Sequence, residues 1–275
     1  MKPSESAPLI FAAVGDVHGR HREMVALVQA RGVAPAFVLQ AGDFECHRHD
    51  EDLASMAAPQ KYRLLGDFHR FHDKELRYPW PVYFVGGNHE CYGWLDRHPQ
   101  GFSPAPGCHY LGRVGYRRIQ GLGLLGLSGV YDGEALERPR PGPNELAGRS
   151  NKALVGFTDA EVEAAVEAEG VDVLLLHEWP EGVVADDDSL RLHHHPRIRR
   201  RGAGNPWAWE LLQHHRPALV LCGHAHLPYR RKLEWEDGRR TLVCCLGAVK
   251  DGPGAVALLC LDGHTDGCTV EEIPP

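Results

Sequence analysis

Short apolar runs recur along the chain, and each of them ends in a cluster of polar residues. Six of these runs have the length and composition of buried strands, and they cover residues 9–14, 36–40, 82–85, 122–127, 171–176 and 218–222. Helical patterns lie between several of them, at residues 21–31, 59–72 and 159–169. Thr158 followed by Glu161 is the capping-box signature of a helix start, here of the third helix. The first part of the chain therefore has the order strand, helix, strand.

The C-terminal part of the chain has a different pattern. Its apolar runs at residues 229–235, 241–246 and 255–261 are spaced by turn residues such as Asp237-Gly238, which predicts an antiparallel meander. Residues 132–151 and 185–205 have the composition of surface loops. Both loops fall between strands of what should be one core, so we expect a single domain over residues 1–275, with two packed sheets and helices outside.

The composition is that of an ordinary globular protein. The 275 residues carry a formal charge of -7, which argues against a basic surface that coats nucleic acid, although local basic patches are compatible with it. No stretch of 18 apolar residues occurs, and residues 1–8 lack the pattern of a secretory signal. We therefore expect a cytoplasmic protein with no membrane partner.

The cysteines and histidines narrow the chemistry. The 8 cysteines show no C-x-x-C spacing, which favours reduced and mostly buried thiols over a disulfide framework. The 18 histidines are more informative, because histidine is the commonest ligand of transition metals. Most of them need not be ligands, so their positions relative to the strands decide which ones matter.

Polar residues of the types that bind metals follow five of the predicted strands. At these positions an α/β sheet places its functional loops. An i, i+2 spacing in extended chain directs two side chains to the same side, which suits the pairs in the first and last clusters. The candidates, in chain order, are Asp16 and His18, Asp43, Asn88 and His89, His177, and His224 and His226.

Carboxylate, imidazole and amide oxygen ligands together suit Mn, Fe or Zn. A carboxylate can bridge two ions about 3.5 to 4 Å apart, and such a pair lowers the pKa of a shared water toward about 7, which provides hydroxide for attack on a phosphoryl group. His89 is the natural donor of a proton to the leaving oxygen. Considered alone, Asp16 or Asp43 would be interpreted as a turn aspartate and His177 as a hydrogen-bonded core histidine, rather than as metal ligands. The complete ordered set favours a metal site.

The ordered signature D-x-H, G-D, G-N-H-E, H and G-H-x-H resembles that of the calcineurin-like metallophosphoesterase superfamily over residues 9–226. The resemblance implies an α+β fold, a four-layer α/β/β/α sandwich of two mixed sheets. It also implies two divalent metal ions, with manganese favoured and iron or zinc as alternatives. One ion would be held by Asp16, His18, Asp43 and His226, and the other by Asp43, Asn88, His177 and His224. Asp43 would bridge them, and His89 would face the substrate phosphate.

Further segments resemble the RNA lariat debranching enzymes, which hydrolyse a 2′,5′-phosphodiester. They are residues 42–44, 48, 52–53, 56–57, 61–63, 86–90, 110–112, 127–130, 177–180, 204–206 and 210–212. Asp16 stands where a cysteine is typical of that family, which favours a complete two-metal site, and residues 131–151 show no match to its lariat-recognition segment. The sequence thus predicts a phosphodiesterase with an RNA, DNA or nucleotide substrate, branched RNA included. The alternatives are a phosphomonoesterase, such as a Ser/Thr protein phosphatase, and an inactive scaffold.

Several residues near these motifs carry two interpretations. Arg48 is either a phosphate ligand or a solvated loop arginine, and we retain it as a candidate substrate-binding residue beside His89. Tyr92 and Trp94 could stack on a base, but packing is favoured. The basic run 197–201 and the histidine run 193–195 could bind a polyanion and a further metal, but solvated loops are favoured for both.

Overall fold

The strands of the protein form two sheets. The structure, a computed structural model, describes residues 8–142, 145, 150–185, 188, 192, 204–262 and 269–274. Its strands, in chain order, are β1 (Leu9–Val14), β2 (Val38–Gln40), β3 (Val82–Phe84), β4 (Phe102–Ala105), β5 (Cys108–Tyr110), β6 (Val114–Ile119), β7 (Leu122–Leu127), β8 (Val173–Leu176), β9 (Leu219–Cys222), β10 (Tyr229–Glu234), β11 (Arg240–Cys245), β12 (Val256–Asp262) and β13 (Thr269–Ile273). One sheet has the order β13-β12-β1-β2-β3-β5-β4 and the other β10-β11-β9-β8-β7-β6.

The helices of the described residues are short. They are α1 (His21–Gln29), α2 (Asp50–Leu53), α3 (Phe68–His72), α4 (Tyr92–Leu95), α5 (Gly133–Leu136), α6 (Asp159–Val166) and α7 (Pro206–His215). Single 3-10 turns occupy Gln60–Tyr62, Asn151–Leu154, Val249–Asp251 and Pro253–Ala255. In this part of the chain no helix combines the length and the apolar character that crossing a membrane requires.

Buried side chains form three apolar layers, which confirms the predicted four-layer α/β/β/α sandwich. Along β1, Phe11 faces the layer between the two sheets, whereas Ala12 faces the layer under α1 and α3. This alternation follows from the two-residue period of a strand. The third layer lies under α6 and α7, where Val162 and Leu211 pack on the outer face of the second sheet. Both sheets are covered on both faces, as sheets with parallel central strands require.

The direction of the central strands places the polar clusters. β1, β2, β3 and β5 pair in parallel in one sheet, and β7, β8, β9 and β11 do so in the other. Antiparallel partners complete both sheets, so each is mixed, as predicted. The carboxyl ends of parallel strands lie at one edge of a sheet, and loops at that edge are where such folds place their ligands.

The C-terminal meander was predicted wrongly. β10 and β11 form the expected antiparallel hairpin, but β12 crosses to the other sheet and pairs antiparallel with β1. The turns at Val249–Asp251 and Pro253–Ala255 carry the chain across. β12 is apolar on both faces, with Ala257 and Leu259 in the layer between the sheets and Leu258 under the helices. An apolar run alone does not reveal which of two covered sheets it joins.

The helix predicted over residues 59–72 is interrupted. Only the 3-10 turn and α3 form, with a loop between them. Gly66 adopts φ +68, and a Cβ there would lie 2.6 Å from the carbonyl oxygen of Gly19. The interruption therefore lets this segment pass close to the loop that follows β1, which a helix could not do. The helix over residues 159–169 is found as α6, with the Thr158–Glu161 capping box present.

Other expectations have mixed outcomes. The described cysteines are free thiols, all but Cys260 buried, as expected. The segment 132–151, predicted to be a loop, contains α5, and its last residue is the first of a 3-10 turn. The strands β4, β5, β6 and β13 were not predicted. The runs 193–195 and 197–201 lie outside the described residues. The single-domain organisation stays a prediction.

Candidate metal centre

Loops from both sheets meet at one rim of the sandwich. They follow β1, β2, β3, β8 and β9, and they carry all the metal ligands that the sequence predicts. The ligand atoms of Asp16, His18, Asp43 and His226 lie within 4.8 Å of one another, and all of these residues but His18 are buried. Residues that are up to 210 positions apart in the chain, from 16 to 226, therefore converge on a volume that suits one ion.

The two aspartates of this cluster use their oxygens in the same way. Asp16 Oδ1 accepts a hydrogen bond of 2.8 Å from the backbone N–H of His224, and Asp43 Oδ1 accepts one of 2.8 Å from the backbone N–H of His89. Each bond ties two ligand loops together. The other oxygen of each residue, Oδ2, is buried and has no hydrogen-bond donor among the described residues. A buried carboxylate oxygen without a donor is costly, and a bound cation resolves that cost.

Imidazole nitrogens surround these two oxygens. His18 Nδ1 lies 2.9 Å from Glu45 Oε1, and a proton shared there leaves Nε2 as the nitrogen that faces the cluster. That Nε2 lies 3.7 Å from Asp16 Oδ2, 3.9 Å from Asp43 Oδ2 and 3.0 Å from the Nε2 of His226. His226 Nε2 is in turn 2.7 Å from Asp16 Oδ2, at an angle that does not make a hydrogen bond. The cluster thus brings carboxylate oxygens and imidazole nitrogens together, a set of donors that fits a transition-metal ion.

A second group of predicted ligands meets on the other side of Asp43. His177 Nδ1 donates to the carbonyl oxygen of Ala41 at 2.9 Å, so Nε2 is the nitrogen that faces the site. This Nε2 lies 3.2 Å from Asn88 Oδ1, 3.0 Å from His224 Nδ1 and 3.4 Å from Asp43 Oδ1. Asn88, His177 and His224 are therefore brought together as expected, and Asp43 contacts both groups.

The loops reach this geometry through left-handed backbone conformations. Of the eight non-glycine residues with positive φ in the described chain, five lie in the site, namely His18 (48°), Asp43 (50°), Glu45 (55°), His224 (61°) and His226 (52°). Such residues are uncommon, each costs of order 1 to 3 kcal/mol, and they concentrate at functional sites. The fold therefore tolerates strain in order to hold these side chains in place.

Glycines beside the ligands allow close approach. A Cβ on Gly87 would lie 2.2 Å from Asp43 Oδ1, and one on Gly223 would lie 2.2 Å from Asp16 Oδ1. A Cβ on Gly42 would lie 2.5 Å from His177 Nδ1. A side chain at any of these positions would displace a candidate ligand, which explains why the motifs contain glycine there.

The electrostatics of the site depend on Asp43. Burial opposes ionisation of Asp43, but the neighbouring His177 and His89 hold its pKa well below the ordinary value. Burial also favours the neutral ring of His18, yet the hydrogen bond to Glu45 and the charges of Asp43 and Asp16 raise the pKa of His18 to about 9. The site therefore carries anionic carboxylates that attract cations.

His89 stands at the exposed side of the cluster. Its ring contacts that of His18 edge to face, with centroids 4.9 Å apart, and 15% of its side chain is exposed to solvent. Burial lowers the pKa of His89, but Asp43 and Glu45 outweigh it and raise that pKa above the ordinary value. The ring of Tyr62, a residue that is 51% exposed, lies 6.4 Å from the ring of His89. An accessible aromatic residue thus borders the site.

The other candidates near the motifs have structural partners. Arg48 donates to both oxygens of Asp52, with Nε–Oδ2 2.9 Å and Nη2–Oδ1 2.7 Å, and its guanidinium lies 3.7 Å from the centre of the Trp94 ring. A role of Arg48 in substrate binding stays a prediction. Tyr92 is fully buried and Trp94 is 8% exposed, which confirms packing as the role of both.

Two acidic residues of the site were not singled out by the sequence interpretation. Glu45 contacts His18, and Glu90 accepts hydrogen bonds from the backbone N–H groups of Phe44 (2.6 Å) and Glu45 (3.1 Å). Burial and the charge of Asp43 raise the pKa of Glu90 to about 8. Each stands two positions after a predicted ligand, Glu45 after Asp43 and Glu90 after Asn88, and this adjacency was the available signal.

Curated relatives and solved structures resemble this chain. Lariat debranching enzymes of Entamoeba histolytica, Homo sapiens and Saccharomyces cerevisiae are 29%, 28% and 29% identical to it over 80%, 79% and 82% of its length. The chain spans only 64%, 42% and 59% of these relatives. One solved crystal structure aligns with 97% of the chain at a TM-score of 0.54 and 13% identity, which bears on the fold alone.

The family assignment rests on a broader match. The model of the calcineurin-like phosphoesterase family matches residues 9–228, a span that contains both sheets' ligand loops. The matched region begins with β1 and ends just beyond His226, so it coincides with the part of the chain that builds the site. The chain belongs to the calcineurin-like phosphoesterase family.

Proposed function

We propose that this protein is a phosphodiesterase that uses two divalent metal ions and acts on nucleic acid or a nucleotide. The observation that carries the proposal is the position of Asp43. Its unpaired Oδ2 lies 3.9 Å from His18 Nε2, and its Oδ1 lies 3.4 Å from His177 Nε2. One carboxylate therefore stands between two groups of ligands, as a bridging residue would.

The residues fit such a pair of ions chemically. Asp16, His18, Asp43 and His226 would hold one, and Asp43, Asn88, His177 and His224 would hold the other. The donors are oxygen and imidazole nitrogen, a set that favours manganese, with iron or zinc as alternatives. When bound, the ions would supply Lewis acidity toward water and toward the phosphoryl oxygens.

His89 would act on the substrate directly. Asp43 and Glu45 favour its protonated form, so it can carry a proton near neutral pH. We expect the ring to donate that proton to the leaving oxygen, since its remaining exposure gives a bound ester access to it. Arg48 would contact a phosphate only if its guanidinium left Asp52, so the proposed function does not depend on Arg48.

The choice of a nucleic-acid diester rests on the rim and on the relatives. Tyr62 offers an accessible aromatic face beside His89, and Lys61 Nζ lies 4.7 Å from the centre of that ring. An aromatic face with a cation beside it is suited to stacking on a base. The relatives are named lariat debranching enzymes, so 2′,5′-branched RNA is the first substrate to test.

A substrate panel tests the proposal. The protein would be assayed with Mn²⁺ on bis(p-nitrophenyl) phosphate and p-nitrophenyl phosphate, then on linear RNA, linear DNA and 2′,5′-branched RNA, with Asp43→Asn as the inactive control. The proposal predicts faster hydrolysis of the diester and cleavage of at least one nucleic acid. Faster hydrolysis of the monoester would favour a phosphomonoesterase, and no hydrolysis at all would favour an inactive scaffold.

A further inference from the structure

Glu45 is an acidic side chain of the site that lies outside the metal-ligand motifs. It is 2% exposed, although it belongs to the loop after β2 and lies at the rim of the sandwich. A buried carboxylate at such a place needs partners that compensate for the loss of water. Its Oε1 has two of them, His18 Nδ1 at 2.9 Å and His89 Nδ1 at 3.3 Å.

The contact with His18 selects the tautomer of a candidate metal ligand. A proton on His18 Nδ1 is shared with Glu45 at 2.9 Å, so Nε2 is the nitrogen that faces Asp16, Asp43 and His226. Carboxylates in this relation to a histidine ligand orient the ring and increase its basicity, and their removal typically costs 10- to 100-fold in metal affinity or activity.

The contact with His89 concerns a different task. At 3.3 Å the Nδ1 of His89 is close to the same Oε1, but it is not aligned as a hydrogen bond, and this nitrogen has no other partner in the described chain. With Nδ1 turned toward Glu45, Nε2 is the nitrogen left to face a substrate. The rings of His18 and His89 also pack edge to face, with centroids 4.9 Å apart, so the two histidines contact each other as well as Glu45.

The backbone of Glu45 is itself held in place. Its φ of 55° is in the left-handed region, its N–H donates to Glu90 Oε2 at 3.1 Å, and its carbonyl oxygen lies 3.4 Å from His21 Nε2. A strained conformation that persists needs such over-determined surroundings. The fold therefore fixes Glu45 from both sides, which a carboxylate with no task would not require.

We propose that Glu45 is a positioning residue that holds the candidate ligand His18 and the candidate acid His89 through one carboxylate oxygen. The inference rests on the proposed function, because it assigns the two histidines to metal binding and to proton donation. It assigns Glu45 neither a metal nor a substrate. Its consequence is that metal affinity and turnover are coupled through a residue that takes part in neither directly.

A set of variants tests this coupling by two readouts. Glu45→Ala, Glu45→Gln, His89→Ala and Glu45→Ala/His89→Ala would be compared with the parent by two measurements. One is Mn²⁺ affinity, measured against a chromogenic chelator, and the other is kcat at saturating Mn²⁺ on a diester with a poor leaving group, which needs protonation by His89. Glu51→Ala is the matched control, since Glu51 lies in the same segment with 89% of its side chain exposed. Thermal unfolding of each variant would establish that it is folded.

The expected pattern separates the two contacts. Glu45→Ala should weaken Mn²⁺ binding about 10- to 100-fold. Glu45→Gln should retain most of the affinity, because its amide oxygen can still accept from His18 Nδ1, and His89→Ala should retain all of it. At saturating Mn²⁺, Glu45→Ala should also lower kcat, but it should cause no further loss when added to His89→Ala, since residues that act as a unit are not additive.

Three results would overturn the inference. They are an unchanged Mn²⁺ affinity in Glu45→Ala, kcat losses that multiply in the double variant, and the loss of one equivalent of metal from Glu45→Ala at saturation, which would make Glu45 a ligand. Metal binding and activity of the parent protein distinguish a failure of this inference from a failure of the proposed function. If the parent neither binds Mn²⁺ nor cleaves the diester, the proposed function fails; if it does both and the Glu45 pattern is absent, only the inference fails.

Discussion

Asp43 Oδ1 accepts a hydrogen bond of 2.8 Å from the backbone N–H of His89. The bond joins the loop after β2 to the loop after β3, and it occupies the oxygen of Asp43 that does not face His18. A proposed metal ligand and the residue proposed to face the substrate are thus connected through a backbone N–H, and the ring of His89 is left for a separate task. The separation of these tasks can be measured.

Asp43→Ala should abolish both metal binding and activity. The substitution removes the oxygen that contacts each group of ligands, and it also removes the acceptor for the His89 N–H. Metal analysis after dialysis, together with a turnover assay, checks this. Activity in a variant that contains no metal would contradict the proposed mechanism.

His89→Ala should keep metal and lose turnover. The ring contacts Glu45 and His18 but belongs to neither group of ligands, so Mn²⁺ content should match the parent. Loss of a positioned general acid typically lowers the rate about 10²- to 10⁴-fold. The measurement is kcat at saturating Mn²⁺ on a diester with a poor leaving group, where protonation matters most. Parent-like turnover on that substrate would exclude His89 as the acid.

Tyr62→Ala should weaken binding of nucleic acid without affecting a small diester. The loss of stacking on one base costs roughly 1 to 3 kcal/mol, which corresponds to a KM raised about 5- to 150-fold. Bis(p-nitrophenyl) phosphate has no base, so its kcat/KM should stay within about twofold. Tyr62→Phe, which keeps the aromatic face, is the matched control and should resemble the parent. An equal loss on both substrates would instead indicate damage to the site.

Gly223→Ala should weaken metal binding although it adds only a methyl group. The new Cβ would lie 2.2 Å from Asp16 Oδ1 and would push this carboxylate out of its bond to the His224 N–H. Gly142→Ala is the control, because its nearest heavy atom to an added Cβ lies 3.6 Å away. Mn²⁺ affinity measured by chelator competition should fall for the first variant only. Equal affinity in both would show that the Asp16 loop adjusts freely.

Acid should destabilise the fold through His21. This residue is fully buried, accepts from the Tyr78 hydroxyl at 3.0 Å, and has a pKa that burial lowers to about 4. The unfolded chain binds a proton at His21 more readily than the folded chain does, so protonation favours unfolding. The stability that depends on a neutral His21 is complete above pH 6.5, and the free energy of unfolding decreases as the pH falls from 6.5 toward 4. A pKa change of this size corresponds to about 3 kcal/mol.

The test of His21 is urea unfolding at a series of pH values. The parent should lose free energy of unfolding between pH 6.5 and 4, whereas His21→Gln, which cannot titrate there, should show a flatter profile over the same range. Glu90, whose pKa is raised to about 8, and the carboxylates with lowered pKa values also titrate in or near this range, but they do so in both proteins, so the difference between the two profiles reports His21. Parallel profiles in the two proteins would show that His21 is not the group responsible.

The ligand loops could be predicted from the sequence because local patterns determine them. An apolar run such as Leu122–Leu127 or Leu9–Val14 has the length of a strand, and a polar cluster at the carboxyl end of a parallel strand must lie at the sheet's edge. The candidates Asp16, Asp43 and His177 follow such runs directly. Their convergence is then a consequence of parallel pairing rather than of any single residue.

Features that depend on long-range packing could not be predicted in this way. β12 joins the sheet of β1 because the turns before it cross the sandwich, which its apolar sequence does not encode locally. The break at Gly66 depends on its approach to Gly19, 47 positions away as the numbering shows. Glu45 stands two positions after Asp43, but this spacing does not reveal that its side chain is buried against His18 and His89.

The central claim is that two metal ions are held on either side of Asp43, and anomalous scattering from crystals grown with Mn²⁺ tests it most directly. We predict two anomalous peaks about 3.5 to 4 Å apart, one beside Asp16, His18 and His226 and the other beside Asn88, His177 and His224, with Asp43 bonded to both. A single peak, or two peaks that Asp43 does not connect, would contradict the claim.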